Sequence, residues 1–143
     1  MDTNESMKKN RWLYYTVVVA ALPILIRFIV YIMMNHHDTI DIFNPVDLVY
    51  FGLTLNLSNV NELNSLRLKG RKPIISENER EKLSSWSVIA IAFLCIILGL
   101  LYVPNNDQIV FNPCSMLIVS FVLAVTSFFL SLHVINKINS LEV

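Results

Sequence analysis

Charge is scarce in this chain. Asp, Glu, Lys and Arg make up 15% of its 143 residues. Soluble domains carry about a quarter, so the deficit points to a membrane class. Glycine is scarcer, at three residues, and no Gly-rich phosphate cradle or P-loop is present. The two cysteines, Cys95 and Cys114, do not form a C-x-x-C pair. That excludes a dithiol redox site and leaves both as small packing residues. No H-E-x-x-H and no nucleophile–base motif occurs. The expectation is a non-enzyme with no cofactor and no metal. Two connections lack one sign of charge altogether. Residues 35–42 and 104–111 hold no Lys or Arg, only Asp38, Asp41 and Asp107.

What the chain does have is apolar sequence, 55% of it hydrophobic, with a mean hydropathy of +0.56. The apolar residues fall into four long runs. A spanning helix needs about 20 such residues to cross about 30 Å of hydrocarbon. The first run is too long for a cleavable signal, and no small-residue cleavage site follows it. The expected fold is an all-α integral membrane protein, a four-helix transmembrane bundle of two helical hairpins. The spans are expected at 12–34, 44–69 (the last part of it a cytoplasmic extension), 86–103 and 112–134. Outer loops lie at 35–43 and 104–111, a cytoplasmic loop and stem at 70–85, and tails at 1–11 and 135–143.

The cations orient the bundle. Lys8, Lys9 and Arg11 precede the first run, Arg67, Lys69, Arg71, Lys72, Arg80 and Lys82 lie between the second and third, and Lys137 follows the fourth. Short loops rich in Lys and Arg stay inside. The expectation is an N-in, C-in protein of the inner (plasma) membrane.

Local signals mark the helix ends. Phe43-Asn44-Pro45 and Phe111-Asn112-Pro113 both read as helix starts, with Asn as N-cap and Pro at the first position. Trp12 and Trp86 mark the first and third runs. The Trp marks are 74 residues apart and the Phe-Asn-Pro marks 68. A parallel internal repeat explains both, and so does convergent use of the same signals. Pro23 falls inside the first run, where it removes a backbone bond. The second helix is longer than a bilayer and should project into the cytoplasm. There Ser76-Glu77-Asn78-Glu79 reads as a capping box, followed by i,i+3 pairs Glu77–Arg80 and Glu79–Lys82.

The second run is polar for a span. Asp47, Thr54, Ser58, Asn61 and Ser65 fall within about 60° on a helical wheel. Asn56 and Asn59 lie off that stripe. Polar side chains avoid lipid, so the stripe faces other helices, an oligomer axis, or a water-filled path. Arg27 is the single cation inside an apolar run. It and Asp47 sit at similar depth within one hairpin, which predicts an intramembrane ion pair. Backbone carbonyls near Pro23, snorkelling, and ligand or ion binding are the other roles open to Arg27. Small faces occur at Ala92, Cys95 and Gly99 on the third run and at Ser120, Ala124, Ser127 and Ser131 on the fourth. Such faces allow close helix packing in lipid. His36 and His37 read as a solvated loop, and His133 as interfacial.

The expected function is that of a non-enzymatic, homo-oligomeric membrane subunit that forms a pore, perturbs the bilayer or senses the membrane. By analogy of size and topology it fits the membrane half of a bacterial stress or phage-defence system. The alternatives are a small transporter with a site at Arg27 and Asp47, and a passive anchor. The anchor would use the basic 70–85 stem and its neighbours to recruit a cytoplasmic protein. The expected partners are membrane lipids and copies of the chain, with no direct nucleic-acid contact.

Overall fold

The computed structural model describes residues 3–33, 44–68, 76–103 and 112–139. They form four helices: α1 (Thr3–Met33), α2 (Pro45–Leu68), α3 (Glu77–Leu101) and α4 (Pro113–Asn139). Three contain stretches long and apolar enough to cross a membrane, at Tyr14–Met33, Glu77–Leu101 and Pro113–Ile138. The 18-residue apolar windows within them have mean hydropathies of 2.4, 2.4 and 2.3. The helix α2 is not among them. Its four asparagines, with Asp47 and Glu62, lower its hydropathy below that of its neighbours.

The start signals act as their chemistry requires. Asn44 Oδ1 accepts from Val46 N at 2.9 Å, and Asn112 Oδ1 accepts from Cys114 N at 3.0 Å. Each satisfies a donor that the first turn leaves orphaned. Ser76 caps α3, its Oγ accepting from Glu79 N at 3.3 Å. α1 begins at Thr3, nine residues before Trp12, and runs on through Pro23. α3 is continuous from its charged first turns into its apolar stretch.

The most polar helix is the central one. α2 packs against α1, α3 and α4, whereas α1 and α3 do not meet among the described residues. α1 runs antiparallel to α2, with Arg27 beside Asp47 and Thr16 beside Ser58. α4 runs parallel to α2, with Ser127 beside Asn56 and Ser131 beside Asn59. The closest approach is at Gly52. A Cβ there would lie 3.1 Å from Leu94 Cδ1 of α3 and 3.2 Å from Ser127 Oγ of α4. The missing side chain leaves room there for the side chains of Leu94 and Ser127 against α2.

The core around that point is small: Leu48, Val49, Leu55 and Leu63 of α2, Leu94 of α3, and Ala124, Val134 and Ile135 of α4. The outer surface is strongly apolar. Ile26 and Ile29 of α1, Phe93 and Ile96 of α3, and Phe121 and Phe129 of α4 are all exposed. A molecule with polar groups inside and large apolar groups outside is arranged for a hydrocarbon solvent. The chain is therefore a helical protein compatible with a membrane.

Candidate functional site

The polar seam of α2 is the place where the bundle concentrates chemistry. Its first part is at the Pro45 end. Arg27 Nε donates to Asp47 Oδ2, forming an ion pair between α1 and α2. Asp47 is one turn into α2 because Asn44-Pro45 fixes where the helix starts. Its side chain is 12% exposed and that of Arg27 30%. The pair is thus sheltered but not sealed. Near the middle of α1, Thr16 Oγ1 lies 3.5 Å from Ser58 Oγ. The stripe side of α2 is therefore the side on which α1 lies.

The rest of the stripe is locally satisfied. Thr54 Oγ1 donates to Tyr50 O at 2.9 Å. Ser65 Oγ donates to Glu62 O at 2.9 Å. Asn61 is exposed. None of these side chains is fully buried. The fully buried polar side chains of α2 are instead Asn56 and Asn59, both 0% exposed. Asn56 Nδ2 donates to Gly52 O at 2.9 Å and to Ser127 Oγ at 2.8 Å. Ser131 Oγ donates to Asn59 Oδ1 at 2.9 Å. Two Asn–Ser rungs, one helical turn apart, join α2 to α4.

The seam also carries unfilled hydrogen-bonding capacity. Asn56 Oδ1, Asn59 Nδ2, Ser87 Oγ and Ser120 Oγ are buried without a hydrogen-bond partner among the described residues. Ser87 lies seven residues before Leu94 on α3, and Asn59 seven after Gly52 on α2. Because Gly52 meets Leu94 between antiparallel helices, Ser87 and Asn59 occupy the same level.

The two small faces part company. Ser120, Ala124, Ser127 and Ser131 are all buried, and the partner of this α4 face is α2. Ala92, Cys95 and Gly99 are exposed, and nothing lies within 4 Å of a Cβ built on Gly99. From the sequence, these small faces suggest that α3 and α4 pack closely, with each other as a hairpin or with a neighbouring copy. The structure puts α2 between the main surfaces of both helices, because α2 carries the asparagines that Ser127 and Ser131 can bond.

The basic face is only partly in view. Lys69, Arg71 and Lys72 lie outside the described residues, as do His36, His37 and the Arg67 side chain. Arg80 Nη2 approaches Glu77 Oε1 at 4.0 Å. Glu79 does not use Lys82 as its partner. It receives Lys137 Nζ of α4 at 3.3 Å, since α4 runs alongside the α3 stem. Lys82, His133 and Lys137 line a cleft there.

No family model, curated protein or solved structure matches the chain. Among the described residues no group of His, Cys, Asp and Glu could hold a metal. Of the buried polar residues, Asp47, Ser120, Ser127 and Ser131 were legible as candidates in the sequence. Asn56, Asn59 and Ser87 were not singled out as sites. The usable signal was the repeated four-residue spacing of Ser127 and Ser131 against two asparagines three residues apart.

Proposed function

We propose that the chain is a non-enzymatic multi-pass membrane protein that works as a homo-oligomer in the inner (plasma) membrane. Both termini and the Lys-rich connection lie on the cytoplasmic side. The observation that carries this reading is an open face of α2. Tyr50, Leu57, Asn61 and Asn64 are exposed, on the side left uncovered between α1 and α3. The most polar helix of an otherwise apolar-surfaced molecule thus keeps one face without a neighbour among the described residues. Exposed amide side chains beside lipid are unfavourable, and helices of a second copy would supply both packing and hydrogen bonds. Cys95 lies nine residues from Trp86, two and a half turns along α3. The small face of α3 therefore turns away from α4, and it lends the same interface a surface for close approach.

In this reading the Arg27–Asp47 pair and the Asn–Ser rungs are structural. They hold one protomer together, and the assembly acts through bilayer perturbation, membrane sensing or conduction. The self-satisfied Arg27–Asp47 pair weighs against a transporter site at that position. The two hairpins also support duplication. Carrying the α1–α2 register onto α3 and α4 by the 74- and 68-residue spacings sets Glu79 opposite Lys137, the pair observed.

The test is disulfide trapping in a background with Cys95→Ala and Cys114→Ala. Leu57→Cys should form dimers in native membranes, and Ile118→Cys, on the outer face of α4, should not. Equal, weak trapping at both positions would remove the α2 interface.

A further inference from the structure

The second feature of the molecule is a cleft that the α2 seam does not use. α3 and α4 both pack mainly on α2, and at the end near Glu79 and Lys137 they part. The gap has a volume of about 420 Å³. Its walls change character along the helix axes. Trp86 of α3 faces Leu130 of α4 at one end, and Leu83 lies one turn below Trp86, beside Lys82. Lys82 of α3 and His133 and Lys137 of α4 follow at the other. From Leu130 to Lys137 the change takes seven residues, about 10 Å. The Lys137–Glu79 ion pair closes the floor. It neutralises one cation and holds the two helix ends at a fixed separation. Lys82 and the imidazole of His133 remain to face an incoming group, against no second carboxylate in the lining.

We propose that this cleft binds one anionic phospholipid. Its phosphate would sit among Lys82, His133 and Lys137, and an acyl chain would rise past Trp86 and Leu130. The ligand chemistry follows from the order of the walls. An anion with an attached hydrocarbon satisfies both ends, whereas a free anion uses only the lower one. Trp86, more than half exposed, has the amphipathic ring that belongs at a headgroup boundary, and its indole N–H is a further donor to phosphate or ester oxygen. Basic clefts between helices on the cytoplasmic side select anionic headgroups. The inference rests on the membrane orientation proposed above.

The full-length protein would be reconstituted in vesicles of phosphatidylcholine, with and without phosphatidylglycerol, and bound lipid counted by native mass spectrometry. The intact protein should retain phosphatidylglycerol in preference to phosphatidylcholine. Lys82→Gln and His133→Gln change exposed side chains, and each should reduce that preference about fivefold. Leu130→Trp fills the upper cleft and keeps every charge, and it should also displace the lipid. Inorganic phosphate at millimolar concentration should not compete. Competition by phosphate would assign the cleft to a free anion and overturn the proposal, as would unchanged preference in the Lys82 and Leu130 variants. An acidic peptide that displaced the lipid from detergent-solubilised protein without needing Trp86 would do the same. Failure to float with either vesicle would instead remove the membrane reading itself.

Discussion

The Arg27–Asp47 pair shows how a residue of α1 can be matched to the helix start of α2. Asn44-Pro45 sets the first turn of α2, so Asp47 is held at one depth, and α1 brings Arg27 to it. Removing one partner leaves the other charge poorly solvated. Asp47→Ala or Arg27→Ala should destabilise the bundle by about 1–3 kcal/mol. That is less than a fully buried pair would lose, because Arg27 is part exposed. Joint replacement, Arg27→Met with Asp47→Leu, should cost less than the sum of the two. Thermal unfolding in nanodiscs reads both quantities, and strict additivity would mean that the pair carries no coupling. The pair was legible in the sequence because only one cation interrupts an apolar run and one carboxylate lies at its depth. Asn56 and Asn59 were harder to read. A helical wheel groups polar residues by angle, and these two lie on the α4 side while the stripe lies on the α1 side. A helix with three neighbours has no single polar face.

At the scale of elements, α2 and α4 are held by polar rungs and by a close approach at Gly52. Interhelical hydrogen bonds in lipid are worth about 0.6 kcal/mol each. A double-mutant cycle on Asn56 and Ser127 should return a coupling near that value, with Asn59 and Ser131 alike. Gly52→Ala should cost more, about 1–3 kcal/mol, because the new methyl would lie 3.1 Å from Leu94 Cδ1 and 3.2 Å from Ser127 Oγ, and both must shift by a few tenths of an ångström. A neutral Gly52→Ala in the same unfolding assay would show that these two side chains give way at no cost. The helices themselves were legible from apolar length and Asn-Pro starts, and three of the four are apolar enough to span. Which helices pair was not legible. A pattern of small residues shows that a face packs closely but does not name its partner, so the α4 face found α2 rather than α3. The early start of α1 was missed because its first turns carry no apolar periodicity.

For the whole molecule, the arrangement inverts that of a soluble bundle: asparagines and serines lie inside, and isoleucines and phenylalanines outside. The polar groups that could line a water path are largely engaged within one protomer, and in the proposed assembly the uncovered side of α2 meets another copy. Solvent access separates these. In a thiol-labelling experiment on a Cys-free background, Asn56→Cys should be protected and Asn61→Cys should label in the isolated protomer. Asn61→Cys should become protected on assembly. Rapid labelling at Asn56→Cys would instead place water in the seam. The central claim is that copies of this chain assemble through the open face of α2. Native mass spectrometry from nanodiscs tests it most directly, comparing the intact protein with an Asn61→Leu, Asn64→Leu variant. A single defined multimer that shifts towards monomer in the variant is the predicted result, and a monomer in both would contradict it.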